Sequence, residues 1–255
     1  MATPLQPDTP TERSPHAVPV GRAFAWFEEA MRLFKRAPLM WCVLGFVVVA
    51  AELLLQLIPG IGAAIAKVVV PLLECGLLIG AVAVDRGAPL SIRVALAAFG
   101  ARPAALAAIV VSALLIFGVE ALAAYSFSGV NLLEGGADEP MLGIATLGVI
   151  FVAGTVVSLP LLFVPFAALF DDASFMHAFA TSIRAFALNV LPLLVFGALS
   201  LVLVIIGLLC FGFGLIAVIP LVSAASYAAW KDVYGASATT AAANASRVSV
   251  FDNDA

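Results

Sequence analysis

Charge is scarce in this 255-residue chain: Asp, Glu, Lys and Arg together make up 11% of it, where a soluble domain carries about 25%. That excludes an ordinary soluble enzyme, and a hydrophobic fraction of 64% excludes a disordered chain. Basic residues are the scarcer sign, 12 against 16 acidic, for a net charge of −4. No basic patch interleaves with aromatics, so nucleic-acid binding has no electrostatic footprint. Histidine occurs only at His16 and His177, too sparsely for a metal site. The three cysteines, Cys42, Cys75 and Cys210, are odd in number and far apart, which excludes a disulfide framework. Each lies in an apolar stretch and is expected to be a small buried hydrophobe. The chain also lacks GxxxxGK and HExxH, and Gly60-Ile61-Gly62 is followed by Ile65 where a dinucleotide fingerprint needs its third glycine. Asp171-Asp172 beside His177 reads as helix capping rather than catalysis. No cofactor, metal or catalytic residue is expected, and the chain is read as non-enzymatic.

What the sequence has in excess is long apolar runs. A span of about 20 apolar residues crosses a hydrocarbon core of about 30 Å. Six such runs occur, at about 39–58, 62–84, 103–125, 141–168, 190–211 and 213–230. The expected fold is therefore all-α: a polytopic membrane protein of six transmembrane helices arranged as three hairpins. The first hairpin turns at Pro59-Gly60-Ile61-Gly62 and the third at Phe211-Gly212-Phe213-Gly214. The middle one has a longer loop, 126–140, with Glu134, Asp138 and Glu139. Residues 1–20, with five prolines and neither a basic n-region nor an apolar h-region, read as a disordered tail; 236–255 read as a second. The membrane domain is then 21–235.

Lys and Arg set orientation. Eleven of the twelve lie in the N- and C-terminal segments and in the connections 85–102 and 171–189, and none lies in the three opposite turns. Both termini are thus expected in the cytoplasm. Trp26, Trp41, Tyr227, Trp230 and Tyr234 gather on the same side and read as an interfacial aromatic belt. An amphipathic cytoplasmic surface helix is expected before each hairpin. In 22–36 the apolar stripe is Phe24, Phe27, Met31 and Phe34. In 173–188 it is Phe175, Phe179, Ile183 and Phe186, and 90–100 is a shorter, weaker example. Arg32 before Pro38, Ser91-Ile92-Arg93 before Pro103, and Ser182-Ile183-Arg184 before Pro192 suggest a threefold repeat of surface helix, proline and hairpin.

Four ionisable residues fall inside spans: Glu52, Lys67, Glu74 and Glu120. Intramembrane ionisable residues are costly and point to function or to pairing. Glu52 and Lys67 flank the first turn at nearly equal depth, so they are expected to pair, with Glu120 competing for the same lysine. Glu74 is near the bilayer midplane, sharing a helix face with Lys67 and Pro71, and about 10 Å along the axis from Lys67. A polar stripe broken by a proline is what an ion or proton site needs; a neutral Glu74 hydrogen-bonded to a neighbouring helix is the structural alternative. Gly76 and Gly80 form a GxxxG pair that permits close helix packing, within the chain or in a homo-oligomer.

The segments Gly21-Arg22-Ala23-Phe24-Ala25-Trp26 and Leu33 to Trp41, the stretch Phe166 to Pro192 with Ala178, Ser182 and Asn189, and the ending Ser226 to Gly235 resemble an uncharacterised family of proteobacterial six-span inner-membrane proteins. The resemblance covers about 21–235. It implies a multi-pass protein of the bacterial inner membrane and supplies no activity or catalytic residue. The leading expectation is a non-enzymatic scaffold or envelope component whose partners are membrane lipids and other membrane proteins. The alternative is a small permease or proton-coupled transporter using Glu74.

Overall fold

The computed structural model describes residues 14–58, 61–132, 143–171 and 173–236. The Pro59-Gly60 half of the first turn, the acids of the middle loop, Asp172 and the outer parts of both tails lie outside the described residues. Among the described residues all regular structure is helical. In chain order it runs α1 (Arg22–Arg36), α2 (Pro38–Gln56), α3 (Gly62–Asp85), a 3-10 helix (Ile92–Gly100), α4 (Pro103–Ser128), α5 (Ile144–Leu161), α6 (Val164–Phe170), α7 (Phe175–Leu188), α8 (Val190–Leu209) and α9 (Leu215–Tyr234). Six stretches are long and apolar enough to cross a membrane: α2, α3, α4, α5 with α6, α8 and α9. The chain is a multi-pass integral membrane protein by this criterion. The spans fall within a few residues of those read from the sequence. The last runs on to Tyr234, so Lys231 and Asp232 belong to a helix rather than to the segment after it.

Each hairpin follows a shorter helix, and the joints show why the chain turns there. Ala37 leaves helical geometry (φ −148°, ψ 55°) ahead of Pro38, because proline's ring disfavours the α region for the residue before it. Asn189 does the same (φ −130°, ψ 33°) between α7 and α8. Its side chain is buried and clamps the N-terminal segment: Nδ2 donates to the His16 carbonyl (2.9 Å), while Oδ1 accepts from the Val18 N–H (2.8 Å). The tail expected over 1–20 is therefore docked at His16–Val18. In the middle unit the surface element is a 3-10 helix, with Val94, Ala95, Ala97 and Ala98 buried.

The six spans form a ring in which each touches the next: α2 with α3, α3 with α4, α4 with α5, α5 with α8, α8 with α9, and α9 with α2. The contact between α3 and α9 crosses the ring. α3 is the most enclosed helix, 72% of its apolar window being buried, against 22% for α2 and α4. The outward faces of α2 and α4 are left to lipid.

Three expectations about faces are corrected. In α1 the buried residues are Ala23, Trp26, Ala30 and Leu33, packed on α9, while Phe24 and Met31 are exposed. The helix carries two apolar stripes, and the one with alanines wins the interior because small residues let backbones approach. In α7, likewise, Ala178, Ser182 and Ala185 are buried and Ile183 is exposed. The aromatics read as an interfacial belt are interior: Trp26, Trp41, Tyr227 and Trp230 are all at most 1% exposed. Trp26 meets Phe196 edge-on, Trp230 packs against Phe166 and Phe170, and Tyr234 meets Phe163 edge-on, in a core on the side of the chain termini. Of the cysteines, Cys75 is buried as expected, but Cys42 is only partly buried and Cys210 is exposed beside the α8–α9 turn. That turn is made by Phe211 and Gly212, both left-handed (φ 55° and 78°). The close approach at Gly76 and Gly80 is taken up within the chain. A Cβ on Gly76 would overlap the backbone of Val94 and Ala95, and Gly80 packs under Leu90 and Trp41.

The fourth span breaks at Leu162–Phe163, between Pro160 and Pro165. Backbone groups freed inside a membrane must find partners in the protein. Here Ser182 of α7 supplies both: its hydroxyl donates to the Pro160 carbonyl (2.8 Å) and accepts from the Phe163 N–H (3.1 Å). Asp171 ends α6 rather than capping α7, whose N-cap position is Ser174. Ser182→Ala removes two buried hydrogen bonds and is expected to cost about 1–3 kcal/mol. Unfolding of the purified variant by sodium dodecyl sulfate in mixed micelles measures this; an unchanged midpoint would show that the break is held by packing alone.

Candidate functional site

The ring encloses a partly open cavity of about 570 Å³. All six spans contribute to its wall. Those of α2, α3, α8 and α9 line it mainly from their turn-side halves, at Glu52, Lys67, Val204 and Ile219 for example. The floor comes from the broken helix, at Leu162, Pro165 and Phe166. The helix break held by Ser182 thus shapes the bottom of the cavity.

The four ionisable residues singled out within the apolar runs, Glu52, Lys67, Glu74 and Glu120, all face this one space. The pair expected across the first hairpin forms: Lys67 Nζ lies 3.6 Å from Glu52 Oε1. Glu52 Oε1 also accepts from Gln56 Nε2 (2.5 Å), and the Lys67 ammonium sits 4.8 Å from the centre of the Phe117 ring, a cation–π contact. Glu120 reaches from α4 towards α5, its carboxylate lying against the bare backbone of Gly154; a Cβ there would overlap it. Glu74 stands one turn beyond Pro71 on α3. It is flanked by the buried Leu72, Leu73 and Cys75, and its own surface is open because it faces the cavity. Among the described residues neither Glu74 nor Glu120 makes a side-chain hydrogen bond or ion pair with a partner. Three carboxyl groups share one ammonium, and of the three only Glu52 is within ion-pair distance of it.

The proline at 71 has a further consequence. It has no N–H to give to the Lys67 carbonyl, one turn back on the same cavity-lining face. The Lys67 carbonyl is thus without its ordinary helical donor.

A second constellation lies at the closed end, where α1, α3 and α9 meet. Lys231 Nζ donates to Glu29 (2.6 Å) and to Asp85 (2.7 Å), and the Tyr227 hydroxyl donates to Asp85 (3.0 Å). Two turns away along α1, Arg22 donates twice to Asp232 (2.7 and 3.1 Å), which also accepts from the Trp26 indole (2.9 Å). The hydrogen bond to Asp232 and its charge hold the Arg22 guanidinium above the usual arginine pKa. Sequence reading counted these cations only for orientation. The usable signal was the spacing of Arg22 and Glu29 on α1 and of Tyr227 and Lys231 on α9, which puts each pair on one helix face. The cavity serines, Ser112, Ser158, Ser223 and Ser226, gave no signal at all, since serine is common in membrane helices.

No protein-family model, no curated protein and no solved structure matches the chain. The resemblance carried by the terminal motifs gains no support from these comparisons, and function is argued from geometry.

Proposed function

We propose that this integral membrane protein is a non-enzymatic carrier of a small solute, a permease or proton-coupled transporter with Glu74 at its binding cavity. One observation carries the reading: the ionisable residues of three different spans converge on a single cavity at the centre of the ring. Each such residue costs about 2.5–3.5 kcal/mol at the bilayer centre on the insertion scale. Charges kept for architecture alone pair off, as Lys67 and Glu52 do; Glu74 and Glu120 do not. Prolines in α3, α5 and α9 place hinge points on three of the cavity helices. The scaffold reading is motivated by the surface helices and short loops, and α1 and α7 each turn one face into the molecule. In the inner-membrane orientation given by the Lys and Arg distribution, the cavity floor is on the cytoplasmic side.

Proteoliposomes loaded with a pH-sensitive dye and challenged in turn with gradients of amines, amino acids, sugars and organic acids test this. At least one class is expected to drive flux, and Glu74→Gln to reduce it tenfold or more while inserting normally. Silence across the panel, or a Glu74→Gln protein as active as the parent, sinks the transport reading.

A further inference from the structure

We infer that the cavity's ligand is an organic ammonium ion, a primary or secondary amine on a compact apolar body. The inference names the substrate class of the transport reading and rests on that reading for the cavity's role. It comes from an inventory of donors and acceptors. Four serines line the wall, and each donates its only hydrogen to a carbonyl of its own helix: Ser112 to Ile109 (2.8 Å), Ser158 to Thr155 (2.9 Å), Ser223 to Ile219 (3.0 Å) and Ser226 to Val222 (3.0 Å). A hydroxyl whose proton is committed presents only lone pairs. The Lys67 carbonyl has lost its ordinary helical donor at Pro71, so it brings no demand for an acceptor. The one ammonium on the wall is held by Glu52 and lies over Phe117. Against these stand Glu74 and Glu120. Glu74 presents its side chain to the cavity, and neither acid has a side-chain hydrogen bond or ion pair among the described residues.

Among the described residues the wall thus offers acceptors and two carboxyl groups outside any ion pair, and its one ammonium is paired with Glu52. Buried polar groups need partners, so the ligand must bring hydrogen-bond donors and positive charge. A carboxylate brings neither, and a phosphate brings negative charge instead of positive. A bare metal ion fits poorly for a different reason: it needs several oxygens gathered within about 2.0–2.6 Å of one point. The acids stand around the space instead, and among the described residues no three metal-ligating side chains gather. The rest of the wall is apolar, with Val48, Ile109, Phe117, Leu162, Phe166 and Val222. An apolar body suits it, and about 570 Å³ lies within the usual range for small-molecule sites, roughly 300–1,000 Å³.

The test is calorimetric titration of the full chain in lipid nanodiscs with 2-phenylethylammonium chloride. 2-Phenylethanol and phenylacetate serve as its neutral and anionic counterparts, and empty nanodiscs give the partition background. Saturable binding of the ammonium compound, one per chain, is expected, with no binding of the other two at the same concentration. Glu74→Gln and Glu120→Gln should each weaken it at least tenfold, whereas Lys67→Met should not weaken it. No ammonium binding, equal binding of the alcohol, or binding of phenylacetate overturns the inference, and these three arms use the unmodified protein. Flux of another solute class without ammonium binding would leave transport standing and end this assignment. Ammonium binding with no flux of any solute would do the reverse.

Discussion

Replacing Lys231 by methionine is expected to destabilise the protein by about 2–4 kcal/mol, among the largest single-residue effects in the molecule. The ammonium is the centre of a three-helix junction, 2.6 Å from Glu29 on α1 and 2.7 Å from Asp85 on α3. Its side chain is 19% exposed and that of Asp85 only 9%. Methionine keeps the stem that packs there and removes the charge. Two carboxylates then face each other in a poorly solvated pocket. Arg32 remains as a cation 3.3 Å from Glu29 and 3.8 Å from Asp85. It is half exposed, so water screens much of what it can return. Detergent unfolding measures the loss. The pairing with Asp85→Asn decides its origin, because removing both partners of a buried pair costs less than removing one. A double variant recovering at least half the loss is expected. A double variant weaker than Lys231→Met alone would mean that the junction stands on the hydrogen bond from Tyr227 to Asp85, not on charge balance.

Gly45→Val should be comparably severe, about 2–3 kcal/mol, at a position with no polar role at all. Pro220 in α9 lacks the N–H that would bond the Ile216 carbonyl. That carbonyl points at Gly45 of α2, and any Cβ there would overlap it, with the Pro220 ring as the next neighbour. The obstacle is backbone, which cannot rotate aside as a side chain can. A larger residue must therefore push α2 from α9, one of the six contacts that close the ring. Detergent unfolding reports the stability loss, and a cysteine pair placed across α2 and α9 should cross-link more slowly in the variant. Unchanged cross-linking would show that α9 straightens locally instead and that the ring is not strained. Gly45→Ala should fall between the two proteins.

The two cases mark the limit of what one-dimensional pattern could reveal. Gly45 belongs to no GxxxG pair and no polar motif; its role appears only once Pro220 is known to lie opposite, about 175 positions later in the chain. Ser182 is similar. Its partners, Pro160 and Phe163, are groups that a proline-broken helix frees, and only packing decides which hydroxyl reaches them. The candidate site was partly legible. Glu52, Lys67, Glu74 and Glu120 are conspicuous because charge is so rare in apolar runs, and the Glu52–Lys67 pair follows from their equal depth about a short turn. Their convergence with Ser112, Ser158, Ser223 and Ser226 was not legible, since it needs the rotation of five helices about their own axes.

The amino-acid sequence by itself determined the class of molecule, the number and approximate limits of the spans, the surface helices and the joints between them. These follow from local quantities: the length of apolar runs against bilayer thickness, helical periodicity, and the backbone limits of proline. The tertiary structure decided which face of each helix is interior, and in α1 and α7 it chose the face that carries the alanines. In a membrane an apolar residue gains little by leaving lipid for protein, so hydrophobicity does not choose the buried face; close packing by small residues and the pairing of polar groups do. That is why Ala23, Ala30, Ala178 and Ala185 face inward while Phe24 and Ile183 face out. It is also why four isolated charges in the sequence become the wall of one cavity in the fold.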